Sequence, residues 1–209
     1  MLAGASGLVG GHLLQLLLED PRWDRVVSVG RRKVDVQHEK LEQLVVPLPD
    51  IGELPPLDDA FCALGTTIKK AGSQDAFRAV DHDAVVALAH AARGAGASSF
   101  LHVTAMGAAR GSRVFYSRVK GETERDVAAV GVPTTVAFRP SMIDGERDES
   151  RPGEQVGLVV MRALGPVLGK YRPTRAEDVA AAMLGEAVRS EPGTRTVDAG
   201  QITRMARES

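Results

Sequence analysis

Short apolar runs rich in β-branched residues alternate along this chain with longer segments in which apolar positions recur at a helical spacing. Six short runs predict β-strands, at residues 25–29, 41–46, 60–64, 99–104, 134–138 and 196–198. The longer segments between them predict helices. Because parallel strands are joined by right-handed crossovers through helices, the pattern predicts a parallel sheet with helices on both faces.

Three segments carry helical spacing and clear end signals, at residues 8–19, 74–93 and 113–130. The first is rich in leucine and stops before Pro21, which cannot continue a helix. The second follows Ser73, a suitable N-cap, and ends at Gly94. No linker rich in Pro, Ser or Gly divides the chain. The sequence therefore predicts an α/β fold, a Rossmann-like doubly wound parallel sheet in a single domain of residues 1–209.

Composition excludes several classes of function. The chain has 209 residues, of which 44% are hydrophobic and 25% charged, as expected for one globular domain with a substantial core. Its 26 basic and 27 acidic residues give a net charge of -1, so no attraction to nucleic acid or to an anionic membrane is expected. We expect a small-molecule substrate and neither a nucleic-acid nor a membrane partner. A homodimer is compatible with the sequence.

Cysteine and histidine give no sign of a metal site. The single cysteine, Cys62, cannot form an internal disulfide and is expected to be a small buried apolar residue. The five histidines lack the close pairing of metal ligands, so each is expected at the surface or satisfied within the core. No apolar run approaches the ~20 residues that span a bilayer, and no signal segment is visible. The chain is accordingly predicted to be cytoplasmic.

Three glycines, Gly4, Gly7 and Gly10, stand at a three-residue spacing between a short apolar run and the first helix. In a dinucleotide-binding turn, the first permits a tight turn, the second lets backbone approach a pyrophosphate, and the third lets the helix pack on the strand. The N–H groups that would face the negative charge belong to Ser6, Gly7, Leu8 and Val9. A tight turn without a ligand has the same spacing, but the strand-to-helix junction favours dinucleotide binding.

The strand before this turn is unusually short. It has only Met1, Leu2 and Ala3, where a central strand normally takes about five residues. Either the natural start lies upstream of Met1 or the first strand is clipped, and the sequence is compatible with both.

A basic pair follows the second predicted strand. NAD-preferring folds usually offer Asp or Glu to the ribose hydroxyls there, but this run reads Gly30, Arg31, Arg32 and Lys33. Guanidinium groups form paired hydrogen bonds to phosphate, so Arg31 and Arg32 suit the 2'-phosphate of NADP. The pattern favours NADP(H) over NAD(H), and the alternative is a solvated basic loop.

Tyr116 and Lys120 stand four residues apart on a predicted helix, and hence on one face of it. A nearby ammonium stabilises a phenolate, which suits the phenol to exchange a proton with a carbonyl or an alcohol. Thr104, at the end of a predicted strand, supplies a hydroxyl that could polarise the same oxygen. The alternatives are a helix tyrosine with a solvated lysine and a strand-end threonine.

The order of these motifs resembles the short-chain dehydrogenase/reductase superfamily. Four longer stretches narrow the resemblance to its atypical group, which contains the human Tat-interactive protein and small bacterial relatives. They are FCALGTT at 61–67, FRAVD at 77–81, FRP at 138–140 and ESRPGE at 149–154. The likeness runs from about Leu2 to Leu184.

The resemblance implies roles for individual residues. Ser6 to Val9 would hold the pyrophosphate of the cofactor, and Arg31 and Arg32 would hold its 2'-phosphate. Leu64 and Gly65 would contact the adenosine side, and Tyr116 and Lys120 would flank the nicotinamide ribose. Ile143 and Arg151 would close the site from the loop after the sixth strand. Serine is usual in the superfamily at the position of Thr104. The threonine retains the hydroxyl, and its additional methyl group narrows the site.

We therefore expect an NADP-dependent oxidoreductase that moves hydride between the nicotinamide and a small carbonyl or alcohol, with Tyr116 as acid/base. Two alternatives stay open. One is an NADPH-binding regulatory or interaction module without turnover, and the other is an epimerase or dehydratase with tightly held cofactor. The charge-dense residues 144–154 are interpreted as a mobile flap or a solvated loop.

Overall fold

A computed structural model describes residues 1–144 and 173–208 and has a seven-stranded parallel sheet at its centre. The strands within the described residues are, in chain order, β1 (Leu2–Ala3), β2 (Val26–Gly30), β3 (Leu41–Val45), β4 (Asp59–Cys62), β5 (Ser99–Val103), β6 (Thr134–Arg139), β7 (Ile143–Asp144), β8 (Thr174–Arg175) and β9 (Gly193–Asp198). The sheet order is β3-β2-β1-β4-β5-β6-β9, while β7 and β8 form a separate parallel pair. The order reverses beside β1, where doubly wound sheets bind ligands.

Helices cover the sheet between these strands. They are α1 (Leu8–Glu19), α2 (Ile68–Ala71), α3 (Gln74–Arg78), α4 (Ala84–Gly94), α5 (Phe115–Val130), α6 (Ala176–Arg189) and α7 (Ala199–Glu208). One turn of π-helix, Ala79–Asp83, joins α3 to α4. The helix predicted at 74–93 is therefore helical along its whole length, but its α-helical hydrogen bonding changes to a π-helical turn at Ala79–Asp83. Its predicted N-cap is confirmed, because the Ser73 hydroxyl accepts a hydrogen bond from the Ala76 N–H at 3.0 Å.

Both faces of the sheet are buried, and this confirms the predicted fold class. On one face, Leu13 of α1, Met183 of α6 and Ile202 of α7 pack in one cluster. On the other face, Leu88 of α4 and Val127 of α5 pack in a second cluster. Strands that are covered on both sides are buried along almost their whole length, as in β2 and β5.

Some boundaries differ from the sequence prediction for physical reasons. The first strand is as short as the sequence predicted. β9 begins three residues earlier than the predicted 196–198, because it is a sheet edge whose exposed residues hide the strand pattern. Within the described ranges, no helix combines the length and apolarity that crossing a membrane requires. Of the predicted flap at residues 144–154, Asp144 is described and the remainder lies outside the described residues.

Candidate nucleotide-binding and catalytic site

The glycine turn brings three backbone segments into contact at the carboxyl end of β1. Gly4 has a φ of +88°, and a Cβ there would lie 2.6 Å from the backbone of Ala63, just after β4. A Cβ on Gly10 would overlap the Gly4 carbonyl. Because only glycine fits these two positions, the turn, the start of α1 and the end of β4 can approach one another this closely.

The start of α1 is open to an anion. Gly7 is its N-cap and no side chain caps it, and the first turn contains no acidic residue. The first hydrogen bond within the helix joins the Gly11 N–H to the Gly7 carbonyl at 2.8 Å, so the N–H groups of Leu8 and Val9 have no partner inside the helix. Ser6 and Gly7 are exposed. This arrangement fits the pyrophosphate of a dinucleotide.

The other predicted cofactor residues lie at neighbouring strand ends. Arg31 and Arg32 follow β2, are exposed, and pair with no carboxylate among the described residues. Leu64 and Gly65 follow β4, on the other side of β1. The structure thus brings the glycine turn, the arginine pair and the Leu64–Gly65 segment to one edge of three adjacent strands, as a dinucleotide site requires.

Lys120 forms a buried ion pair that the sequence did not predict. Its ammonium lies 2.7 Å from the Asp81 carboxylate, and the two residues are only 4% and 1% exposed. The second carboxylate oxygen accepts the Thr66 N–H at 2.9 Å. A Cβ on Gly65 would lie 3.6 Å from Asp81 Oδ1 and 4.0 Å from Lys120 Nζ. The pair therefore lies directly beneath the segment assigned to the nucleotide.

Asp81 reaches Lys120 from the middle of the π-helical turn, a feature that recurs at functional sites. Two further contacts fasten this turn to α5. Arg78 pairs with Glu122 at 2.5 Å, and the pKa of Glu122 is lowered mainly by that hydrogen bond. His82 Nε2 lies 2.9 Å from Asp126 Oδ2. Asp81 stands in the FRAVD stretch, which was the one sequence signal that marked it.

Tyr116 is the second residue of α5, one turn before Lys120. Its half-buried ring packs on the buried Phe77, with ring centroids 5.5 Å apart. Its hydroxyl makes no hydrogen bond to any residue within 1–144 or 173–208. Packing thus fixes the ring while leaving the phenol free to bind another group.

Thr104 has a partner that the sequence did not predict. Its buried hydroxyl donates to Glu124 Oε1 at 2.6 Å, and Glu124 also accepts from Arg139 Nε at 2.9 Å. Glu124 lies about 12 Å along the α5 axis from Tyr116, at 1.5 Å per residue. The structure therefore assigns the Thr104 hydroxyl to an acid–arginine pair that joins α5 to β6.

Of the two remaining predicted residues, Ile143 lies within the described residues and Arg151 does not. Ile143 lies in β7, pairs in register with Thr174 of β8, and is half-buried. Arg151 lies outside the described residues, so its predicted closing role stays a prediction.

Two buried titratable side chains lie side by side in the sheet, Cys62 on β4 and His102 on β5. Burial raises the pKa of the Cys62 thiol to about 12, so this thiol is inert, as expected of a buried apolar residue. Burial first, and then the Lys120 charge, lower the pKa of His102 to about 3. The expectation of a satisfied core histidine was wrong for His102. Neither ring nitrogen has a hydrogen-bond partner among the described residues, and the neighbouring Phe100 ring, whose centroid lies 5.8 Å away, offers none.

In the described part of the chain, no group of three or more His, Cys, Asp or Glu side chains is placed to hold a metal ion. The geometry instead describes an anion cradle, a basic pair and a tyrosine–lysine pair on one sheet edge. Residues 1–110 match the model of the NAD dependent epimerase/dehydratase family.

The chain belongs to the NAD dependent epimerase/dehydratase family.

Curated proteins narrow this placement within the epimerase/dehydratase family. The chain is 35% identical to the mitochondrial protein fmp52 of Aspergillus clavatus, over 85% of this chain and 80% of that protein. It is 37% identical to HTATIP2 of Rattus norvegicus, over 73% of this chain and 66% of that protein. The resemblance that the motifs predicted is therefore confirmed.

A solved structure confirms the fold of this epimerase/dehydratase family member. MoeE5 in complex with UDP-glucose and NAD superposes with a TM-score of 0.72, at 18% identity, over 99% of this chain and 80% of that one. The likeness extends to the whole Rossmann sheet and its helices. At this identity it shows the fold alone.

The predicted cytoplasmic location is contradicted by the relatives. The fungal proteins fmp52 of Aspergillus clavatus and FMP52 of Meyerozyma guilliermondii are named as mitochondrial. The prediction rested on one cysteine, on the lack of a long apolar run and on the lack of a visible signal segment. All three features fit several compartments, so they carry no information that separates cytoplasm from mitochondrion.

Proposed function

We propose that this protein is an NADP(H)-dependent oxidoreductase that interconverts a carbonyl compound and an alcohol. The observation that supports this most directly is the geometry of α5. The Lys120 ammonium lies 2.7 Å from the Asp81 carboxylate, and this pair lies beneath Gly65. The Tyr116 hydroxyl, one turn earlier in α5, has no partner among the described residues. A free phenol one helical turn from a fixed ammonium suits proton transfer at a carbonyl oxygen.

The cofactor would be held by groups on three strand ends. The open N–H groups at the start of α1 would bind the pyrophosphate, and Leu64 and Gly65 would contact the adenosine side. Arg31 and Arg32 would bind a 2'-phosphate, since both are exposed and no carboxylate stands directly after β2. When bound, the nicotinamide supplies or accepts the hydride.

The chain itself supplies orientation and a proton. Tyr116 Oη would donate its proton to the substrate oxygen during reduction and recover it during alcohol oxidation. The Lys120 ammonium would stabilise the phenolate between these steps and bind the ribose hydroxyls. Asp81 is a positioning residue, because it holds the ammonium in place without touching the substrate. Thr104 takes no part in proton transfer, since its hydroxyl is bonded to Glu124.

The test combines cofactor identification with a substrate screen. Nucleotide released from the purified protein is identified, and NADPH oxidation is then followed against a panel of aldehydes, ketones and quinones. Tyr116→Phe keeps the ring and its contact with Phe77, so NADPH affinity should hardly change while turnover falls about 10²-fold or more. Full turnover in Tyr116→Phe would refute the acid/base role. Tight NADPH binding with no panel member reduced would favour a regulatory module instead.

The family match favours one second candidate, an epimerase or dehydratase that uses the same residues. Such an enzyme returns its cofactor to the starting redox state in each turnover, whereas an oxidoreductase consumes NADPH in proportion to product. Product formation measured together with absorbance at the NADPH band separates the two. Product without net NADPH consumption would establish the epimerase or dehydratase.

A further inference from the structure

Three exposed apolar side chains lie in segments that meet at the sheet edge that carries Tyr116. Val114 is 62% exposed, Met142 49% and Met106 37%. They lie just before α5, just after β6 and just after β5. Large apolar groups in contact with water are costly, and a group of them beside a polar site is a common mark of a ligand surface.

Two backbone hydrogen bonds join the segments that carry these side chains. The Met106 N–H donates to the Pro140 carbonyl at 2.8 Å, two residues before Met142. The Ala109 N–H donates to the Ser117 carbonyl at 3.0 Å, next to Tyr116. The loop after β5 is thus fastened on one side to the segment after β6 and on the other to the start of α5.

Val114 is placed by the same loop. Its backbone is extended, and its N–H donates to the Ser112 hydroxyl at 3.1 Å. Arg118 holds the Ser112 carbonyl at 3.1 Å. Val114 is therefore fixed two residues before Tyr116, and its side chain is left to solvent.

We propose that Met106, Val114 and Met142 form an apolar substrate surface beside Tyr116, and that the substrate is an aldehyde or ketone with an extended alkyl or aryl group. The inference rests on the proposed function. Methionine suits this role because its flexible, polarisable side chain adapts to apolar groups of different shape. Arg110 and Arg113 are exposed in the same loop, so an anionic substrate such as a nucleotide sugar is the alternative that the test separates.

The test is a chain-length series. kcat/KM for NADPH-dependent reduction is measured for straight-chain aldehydes from propanal to decanal. Each methylene that leaves water should raise kcat/KM by about two- to fourfold. The double variant Met106→Ser with Met142→Ser should flatten this dependence, while the control Val188→Ser, at an exposed site on α6, should keep it. A flat series in the wild-type protein, or faster NADP+-dependent oxidation of UDP-glucose than of decanol, would overturn the proposal.

A binding measurement separates this inference from the proposed function. Octanamide has the apolar tail but is not reduced by NADPH, and its affinity for the NADPH complex is compared with that of acetamide by calorimetry. Octanamide should bind at least tenfold more tightly, and the double variant should lose the difference. Tail-dependent binding without reduction of any aldehyde would reject the proposed function and keep the surface. Equal affinities together with Tyr116-dependent reduction would reject the surface and keep the function.

Discussion

The Lys120 ammonium and the Asp81 carboxylate face each other across 2.7 Å in the interior, between α5 and the π-helical turn. Neither charge is stable alone there, because transfer from water to a protein interior costs several kcal/mol per ion unless a partner compensates. The Thr66 N–H adds a second bond to the carboxylate. Fold stability and the position of the ammonium therefore depend on the same contact.

Asp81→Asn should leave the ammonium buried without a counter-charge. We expect the free energy of unfolding to fall by about 3 kcal/mol, the lower end for a broken buried pair, as measured by urea denaturation. Asp75→Asn, at an exposed position of α3, is the control and should cost less than about 1 kcal/mol. The double variant Asp81→Leu with Lys120→Met should regain most of the stability but not the turnover. Recovery of both would show that the pair is purely structural.

The arginine pair is expected to set cofactor preference. NADPH should bind at least tenfold more tightly than NADH, which corresponds to about 1.4 kcal/mol. Replacing Arg31 and Arg32 by Ala should remove this ratio by weakening NADPH binding alone, as followed by fluorescence titration. Arg22→Ala, whose guanidinium pairs with Asp20 instead, is the control and should leave the ratio unchanged. Equal affinities in the unmodified protein would contradict the NADP assignment.

The glycine turn separates a binding glycine from a packing glycine. Gly7 is exposed and a Cβ there meets only the Gly4 carbonyl oxygen, at 3.3 Å, so Gly7→Val should fold while its side chain fills the pyrophosphate position. NADPH binding should be lost in a calorimetric titration. Gly10→Ala should instead lower the melting temperature, because its Cβ overlaps the Gly4 backbone. Gly94→Val, where a Cβ meets nothing within 4 Å, is the control. Unchanged binding in Gly7→Val would place the cofactor elsewhere.

His102 should make the fold sensitive to acid. Its pKa is lowered to about 3 in the folded chain, whereas the unfolded chain takes up the proton near pH 6.5. Between these values the unfolded state binds one more proton, so the free energy of unfolding should fall by up to about 1.4 kcal/mol per pH unit as pH decreases. His102→Met removes both unpartnered nitrogens, and should flatten this dependence in denaturation measured from pH 7 to pH 4. An unchanged pH dependence would mean that other groups cause the acid sensitivity.

Thr104→Val tests the assignment of that hydroxyl to Glu124. Removing a hydrogen bond to a charged group should cost about 1.5–3 kcal/mol of stability, because the half-buried carboxylate loses a donor. Turnover of the screened substrate should change less than threefold. A fall in kcat of about 10²-fold with unchanged stability would instead make Thr104 catalytic.

The elements that the sequence predicted well are those set by local signals. Helix α1 matches the predicted 8–19 because leucine periodicity and Pro21 define it without help from the rest of the chain. The glycine turn was equally visible, since steric limits at Gly4 and Gly10 leave a fixed spacing. β9 was only half predicted, because the residues of an edge strand face water and lose the apolar pattern.

The charged contacts of the site were not predicted, because each joins residues that are distant in sequence. Lys120 and Asp81 meet only through the packing of α5 on the π-helical turn, and an ordinary α-helical projection of 74–93 misplaces everything beyond Arg78. Glu124 and Arg139 meet because β6 returns beside β5 after the whole length of α5. Neither spacing is a motif, so only the fold reveals the contact.

The π-helical turn makes the site sensitive to the number of residues in a helix, and not only to their identity. A π turn is an α-helix that carries one extra residue, so removal of Ala79 would let the helix close into regular α form. The residues on one side of the deletion would then rotate by about 100° relative to those on the other. The Asp81 carboxylate or the buried Phe77 would then leave its present position, and with it the contact with Lys120 or with Tyr116. A single-codon deletion would thus displace the residues of the site without changing the identity of any of them.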